Sequence, residues 1–306
     1  MRVLKLGALA ETPTRLLSAT IYALRLLGGD PMSLAALIVV LGVFSTAVST
    51  TVLLYTGVVS ESVYAGIDLG NRLKLPSLEH PLGTDHLGRD ILVRIVFGTR
   101  IALYVIAASV TIAIVLGTLV GLVAGYMGGY VDLVVSRIID AIMSFPAVLL
   151  ALAIVAVLGP GIENVVLAIG IAEAPVFARL ARGLVAVEKE HLYVEAARAT
   201  GASHARIIWK HILPNIAGPL LVQATFTSSS AILWEAALSF LGLGAQPPTP
   251  SWGLMLAEAR GYMRVAPHTI VFPGLAIFLL VLSINILGEK MRDLMDPRYR
   301  SLAGRS

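Results

Sequence analysis

Six histidines, 19 acidic residues and no cysteine are the raw material for any reactive centre in this 306-residue chain. Without cysteine there is no disulfide, thiolate metal site or thiol nucleophile. The histidines (His80, His86, His191, His204, His211 and His268) all lie outside the long apolar runs, so no base is paired with a nucleophile there. There is no His-Glu-x-x-His sequence, and no Gly-x4-Gly-Lys-Ser/Thr loop to cradle a phosphate. We therefore expect no catalytic residue. The densest knot of ionisable groups is the segment HPLGTDHLGRD, His80 to Asp90. His80, Asp85, His86 and Asp90 could be read as metal ligands, but nothing fixes a ligand geometry. The expectation is a structural motif and no metal: Gly83 and Gly88 allow turns, while Asp85, Arg89 and Asp90 pair or cap.

Charges inside apolar runs are costly and default to functional hypotheses. Here they are Arg137, Asp140, Glu173 and Glu235, with Glu163 at an outer edge. Arg137 and Asp140 stand three apart and can pair on one helix face. Glu173 either reaches the nearby interface or meets Arg179. Glu235, Ser229 and Asn285 are the candidates for lining a passage. A buried hydrogen bond to a partner is an equal reading for Glu235, and a helix-interface hydroxyl is one for Ser229.

The elements that must position these groups are membrane helices. The chain is 57% apolar and 14% charged, against about 25% charged in a soluble domain; its mean hydropathy is +0.85. Six runs approach the roughly 20 residues needed to span a bilayer: Leu34–Val58, Ile101–Tyr126, Leu133–Leu158, Ile162–Ala178, Ile216–Leu243 and Thr269–Gly288. The fold class is thus an all-α membrane protein with six spans. Its expected organisation is a cytoplasmic segment over 1–33, a first span over 34–58, an outer loop over 59–99 and a core over 100–288. An inner loop at 179–215 interrupts the core, and a cytoplasmic tail follows at 289–306. With both termini inside, the inner segments hold 16 Lys and Arg and the outer ones seven, as the positive-inside rule prefers. The net charge of +4 belongs to that bias. No basic run interleaved with aromatics exists, so nucleic acid is not an expected partner. Leu16, Leu17, Ile21 and Leu24 could form an interfacial helix. Ala47-Val48-Ser49 is a small-residue stretch, yet the apolar run continues to Val58, which favours an anchor over a cleaved signal.

The inner loop is too organised to be idle. Strong helix formers run through Ala199, Gly201 is placed as a left-handed C-cap, Ser203 can cap a second helix, and Pro214 is expected to end it. The small residues Ala196, Ala197 and Ala199, beside Glu195, would let another backbone approach closely. Ile207, Ile208 and His211 share a face. Two readings stand level: a hairpin packed on its own chain, or a surface that fits a groove in another protein.

Glu195, Ala196, Ala197, Gly201, Leu213 and Pro214 resemble the EAA loop of ATP-binding-cassette (ABC) importer permeases. His211 stands where the general pattern has Ile. The segment from His80 to Asp90 resembles the C-type permease of dipeptide, oligopeptide and nickel importers. So do Ile139–Pro146, Leu238–Gly253, and Pro273-Gly274 followed by Asn285–Arg298, with Glu289 where Asp is more usual. This resemblance implies a permease fold with a cytoplasmic coupling helix (Glu195, Ala196, Ala197, Gly201, Ile207, Ile208, Leu213 and Pro214) seated in a cleft of an ATPase. It implies a second related permease, two ATP-binding subunits and an extracytoplasmic binding protein in a prokaryotic cytoplasmic membrane. ATP and Mg would bind those ATPase subunits, with no cofactor in this chain. The implied cargo is a peptide, a nickel chelate or an oligosaccharide. An ion-coupled secondary transporter is the alternative class, weakened by the lack of an obvious internal repeat.

Overall fold

The computed structural model describes residues 30–295. The expected interfacial helix and the end of the tail lie outside the described residues. Asp30 caps α1 (Pro31–Tyr55): its Oδ1 accepts from Met32 N at 3.1 Å, and Pro31 sits in the first turn where its missing N–H costs nothing. A short helix α2 (Ser62–Ala65) and a 3₁₀ turn (Leu69–Asn71) lead to α3 (Ile91–Met127), 37 residues long. Then come α4 (Gly129–Met143), α5 (Ala147–Leu158) and α6 (Ile162–Glu188). Next, α7 (Leu192–Ala199) and α8 (His204–Ile207) pass through a π turn (Ile208–Ile212) into α9 (Leu213–Phe240). Two more helices complete the described residues, α10 (Trp252–Ala259) and α11 (His268–Met295).

Among the described residues five helices are long and apolar enough to cross a membrane, and a bent pair makes a sixth if it is counted as one span. The expected third span is not one helix: α4 and α5 meet at 85°. The break is at Ser144-Phe145-Pro146. Proline disfavours the α region for the residue before it and has no N–H to continue the ladder. Three other expectations shift. The outer loop ends at Asp90, not Thr99, because Asp90 Oδ1 caps α3 by accepting from Val93 N at 3.0 Å. The inner loop begins at Lys189, since α6 runs on to Glu188. Pro214 does not end a helix. It lies in the first turn of α9, immediately after the π turn, where its absent donor is not missed.

The most intimate pair is α3 and α6, packed parallel. A Cβ on Gly117 would lie 2.2 Å from Ala174 O, one on Gly121 2.5 Å from Ala178 O, and one on Gly125 2.7 Å from Arg182 O. The two backbones are in contact along three turns, as small residues four apart permit in membranes. Around this axis lie three apolar clusters. One joins Val105, Val155, Ile169 and Leu238. The second joins Leu122, Phe177, Val185, Val194, Ile207 and Ile212. The third joins Ile91, Ile232, Trp252 and Leu280. By contrast, α1 is peripheral and shows Ile38, Leu41, Phe44 and Val52 on the surface.

Gly121→Val is therefore expected to cost about 1–3 kcal/mol or more by overpacking. Gly42→Ala, which meets no atom within 4 Å, should be neutral or slightly stabilising through helix propensity. Thermal unfolding of the detergent-purified protein separates the two.

Candidate functional site: a two-faced hairpin and an ionic lock

The inner hairpin forms as its residue types require. Gly201 has φ +79; its N–H donates to Arg198 O at 2.9 Å and Ala202 N to Ala197 O at 3.0 Å. This is the Schellman arrangement, and it closes α7. Ser203 Oγ accepts from Arg206 N and opens α8.

The hairpin has two unlike faces. Val194, Ile207 and Ile212 are fully buried against Phe177, Ala181 and Val185 of α6 and Leu122 of α3. Ile208 and Leu213 are partly buried against the same cluster. The expectation that Ile207 and Ile208 face a foreign groove is thus corrected: their own chain buries that face. The outward face is Glu195, Ala196, Arg198, Thr200 and Gly201, all exposed, with Ala197 half-buried. Leu192, 81% exposed one turn before Glu195 and Ala196, is the bulky apolar side chain beside them. Pro214 is exposed on the adjoining turn.

Polar contacts pin the base of the hairpin. Tyr193 OH donates to Glu188 Oε1 at 2.5 Å and accepts from Asn215 Nδ2 at 2.9 Å. Partial burial and the Glu188 carboxylate push the Tyr193 hydroxyl up to about 12, so it stays a donor at any physiological pH. Tyr126 OH at the foot of α3 meets His204 Nδ1 at 2.8 Å, and the Arg198 guanidinium lies 5.5 Å from the Tyr126 ring centre. Lys189 Nζ donates to Gly125 O at 2.9 Å.

At the other end, the five residues Gly83, Asp85, Gly88, Arg89 and Asp90 come together as a fastening. Asp85 Oδ2 accepts from Arg89 Nε and Arg94 Nη1, both at 2.6 Å. Glu258 Oε2 on α10 accepts from the same two arginines, at 2.9 and 2.7 Å. Gly88 (φ +77) is mandatory, because a Cβ would sit 1.7 Å from Asp68 O. His80 Nδ1 lies 2.9 Å from Asp90 Oδ2 and holds that cap. Asp85, His86 and Glu258 are close enough to share a cation, but Arg89 and Arg94 already occupy both carboxylates. His86 instead stacks on Tyr262, with ring centres 5.5 Å apart. Arg94 and Glu258 were not singled out in the sequence. Arg94 fell just before the expected second span, and Glu258 stood in a helix with no charge pattern of its own.

The charges within the spans are resolved differently from expectation. Asp140 pairs with Arg179 of α6 at 2.6 Å and not with Arg137. Asp132 of α4 pairs with Arg182. Glu173 is 6% exposed and does not meet Arg179. Glu235 is 4% exposed and accepts from Ser239 Oγ at 2.7 Å, so its bond lies within its own chain and it faces no open passage. The Ser229 hydroxyl is buried without a partner among the described residues, and Asn285 is half-buried on α11. The contact glycines Gly117, Gly121 and Gly125 were also missed, although their spacing of four is a legible signal.

Removing one member of the outer lock leaves buried charge unmatched. Asp85→Asn should cost about 3–5 kcal/mol, read as a lowered thermal midpoint. Burial alone would raise the Asp85 carboxyl, but Arg94 and Arg89 outweigh it and hold it below the usual carboxylate range. Its stabilising contribution is therefore present above an unfolded value near 3.9 and lost as pH falls through the lower folded value. Burial pushes His86 down, so protonation favours unfolding as pH drops below about 6.5. Wild type should weaken in both windows, and Asp85→Asn should lack the acidic one.

The comparisons with known proteins agree with this architecture. The family model for the binding-protein-dependent transport system inner membrane component matches residues 117–301. The dipeptide transport system permease protein DppC of Alkalihalophilus pseudofirmus is 44% identical over 248 residues, covering 81% of this chain and 82% of the relative. The glutathione transport system permease protein GsiD of Pectobacterium atrosepticum is 49% identical over 226 residues, covering 74% and 75%. Among solved structures, an inward-facing MetNI methionine ABC transporter chain superposes with a TM-score of 0.55 at 22% identity, covering 67% of this chain and 98% of that one. The chain therefore belongs to the family of binding-protein-dependent transport system inner membrane components, as a multi-pass permease subunit of an ABC importer rather than an enzyme.

Proposed function

We propose that this chain forms half of a translocation pathway that carries a dipeptide or similar small peptide into a prokaryotic cell, and that α7 and its C-cap dock in a cleft of an ATPase subunit. The observation that carries this reading is the two-faced hairpin. Its outer face, with Glu195, Ala196 and Gly201, is uncovered, and at Ala196 and Gly201 a foreign surface can approach the backbone. Its inner face, Val194, Ile207 and Ile212, is continuous with the α3 and α6 core. A push on one face reaches the membrane helices through packed side chains.

The complete assembly we infer has a second, homologous permease, two ATPase subunits that bind ATP and Mg, and an extracytoplasmic binding protein. Both termini are cytoplasmic, and the outer lock faces the binding protein's side. The peptide cargo rests on what the relatives are named for; a nickel chelate or an oligosaccharide would use the same surfaces. We keep Ser229 and Asn285 as candidates for pathway contact. Glu235 is assigned instead to holding the end of α9 through Ser239. No observation favours ion-coupled transport.

Tagged protein extracted gently from its own membranes is expected to co-purify an ATPase. Gly201→Trp and Glu195→Arg should still insert but lose at least about ten-fold of the associated ATP hydrolysis, equivalent to 1.4 kcal/mol of docking energy. An ATPase retained at full activity by both variants would sink the docking assignment.

A further inference from the structure

The hairpin carries an open notch of about 360 Å³ between its two arms. Tyr193, Ala196, Ala197 and Thr200 line it from α7 and its C-cap, and Ala202, Arg206 and His211 line it from beyond Gly201. The first four recur at i, i+3, i+4 and i+7, a single stripe of a helix. Glu195 is two residues from Tyr193, so at about 100° per residue it lies on the opposite side of α7. Three of the lining residues are alanine, which leaves the space open.

The chemistry of the notch is one-sided. Arg206 is exposed, and among the described residues its guanidinium makes no ion pair or hydrogen bond; only its backbone N–H is used, by the Ser203 cap. The His211 ring lies 6.4 Å from the Tyr193 ring. The two hydroxyls present already spend their protons elsewhere, Tyr193 OH on Glu188 Oε1 at 2.5 Å and Thr200 Oγ1 on Ala197 O at 3.0 Å. No carboxylate is among the lining residues. What the notch offers a newcomer is therefore the Arg206 fork, five N–H donors in a plane with no acceptor. A carboxylate is the protein side chain that matches that fork, through two parallel bonds.

We infer that this notch seats an aspartate or glutamate side chain of the ATPase, held by Arg206. The inference rests on the docking reading of α7 and adds to it the chemistry and the place of one partner residue. Ala196 belongs both to the outward face and to the notch, so a partner segment lying over Ala196 has Arg206 across the same recess. On an open helix such a pair would be solvated and worth little. In a recess that the partner itself covers, water is excluded and the charges select one register. A pressed surface transmits only a push, whereas an ion pair also resists withdrawal. Arg206 stands on α8, which continues through the π turn into α9. A partner carboxylate there draws α9 along as well as α7.

Arg206→Gln and Arg206→Glu are exposed substitutions and should melt with the wild-type permease. In the intact importer, Arg206→Gln should lower ATP-driven uptake at least about three-fold and Arg206→Glu at least about ten-fold. Charge-reversing arginine substitutions of aspartates and glutamates on the ATPase should include one that is defective with wild type and restores Arg206→Glu at least about five-fold. If Arg206→Glu stays within about two-fold of wild type while Gly201→Trp loses the ATPase, the notch inference fails and the docking reading stands. If Gly201→Trp also keeps the ATPase at full activity, it is the docking reading that has failed. If Arg206→Glu is folded and inactive and no reversed acid restores it, a carboxylate is not what the notch holds. Should Arg206→Glu melt early, Arg206→Gln decides, and uptake equal to wild type overturns the inference.

Discussion

Along α3 and α6 three glycines let one backbone lie directly on the carbonyl row of the other, and much of the remaining architecture hangs on that contact. Because the helices run parallel, their inner ends come out side by side. There Gly125 O receives Lys189 Nζ, and α6 hands the chain to the hairpin next to the foot of α3. Only with the two axes this close can Val185, Leu122, Val194 and Ile207 share one buried cluster. A pair held apart by ordinary side chains, at about 8–10 Å between axes, would leave the hairpin no common floor.

The two ends of the molecule use different physics for different tasks. At the end where α3 starts, two carboxylates and two arginines are concentrated in a nearly dry knot that ties a loop, the start of α3 and α10 together. A buried ionic knot of this kind specifies one arrangement more than it adds net stability. At the hairpin end the fastening is apolar, and the exposed surface mixes small residues and a glycine with Leu192, Glu195 and Arg198. That combination suits a contact which must form, move and transmit, since the surface costs little to cover and the floor does not deform separately from the helices.

Much of this was legible in the sequence, and the residues say why. The helix stop at Gly201 and start at Ser203 are local backbone chemistry, so they could be read without a fold. The cap at Asp90 is of the same kind; it was recognised as a capping residue without the helix start being placed on it, while the Asp30 cap went unread. Spans came from long apolar runs, which need only length. What failed needed tertiary context. Leu133–Leu158 is apolar enough on average to pass as one span, so composition could not reveal the 85° break, although Phe145-Pro146 marked it. Asp140 had two cations within reach, and only the α4–α6 packing selects Arg179 over Arg137. Ile207 looked like an outward anchor because its face is apolar, and the cluster that consumes that face is built from α3 and α6. Glu258 became visible only once α10 lay across Arg89 and Arg94.

The central claim is that the Glu195–Gly201 surface is the point at which ATP hydrolysis is felt. It is tested most directly by placing one cysteine at Ala196, in a chain that otherwise has none, and adding a short thiol-directed cross-linker to native membranes. The account predicts one adduct, with an ATP-binding subunit, whose yield changes on adding ATP and Mg. An adduct with any other protein, or a yield indifferent to nucleotide, would contradict it.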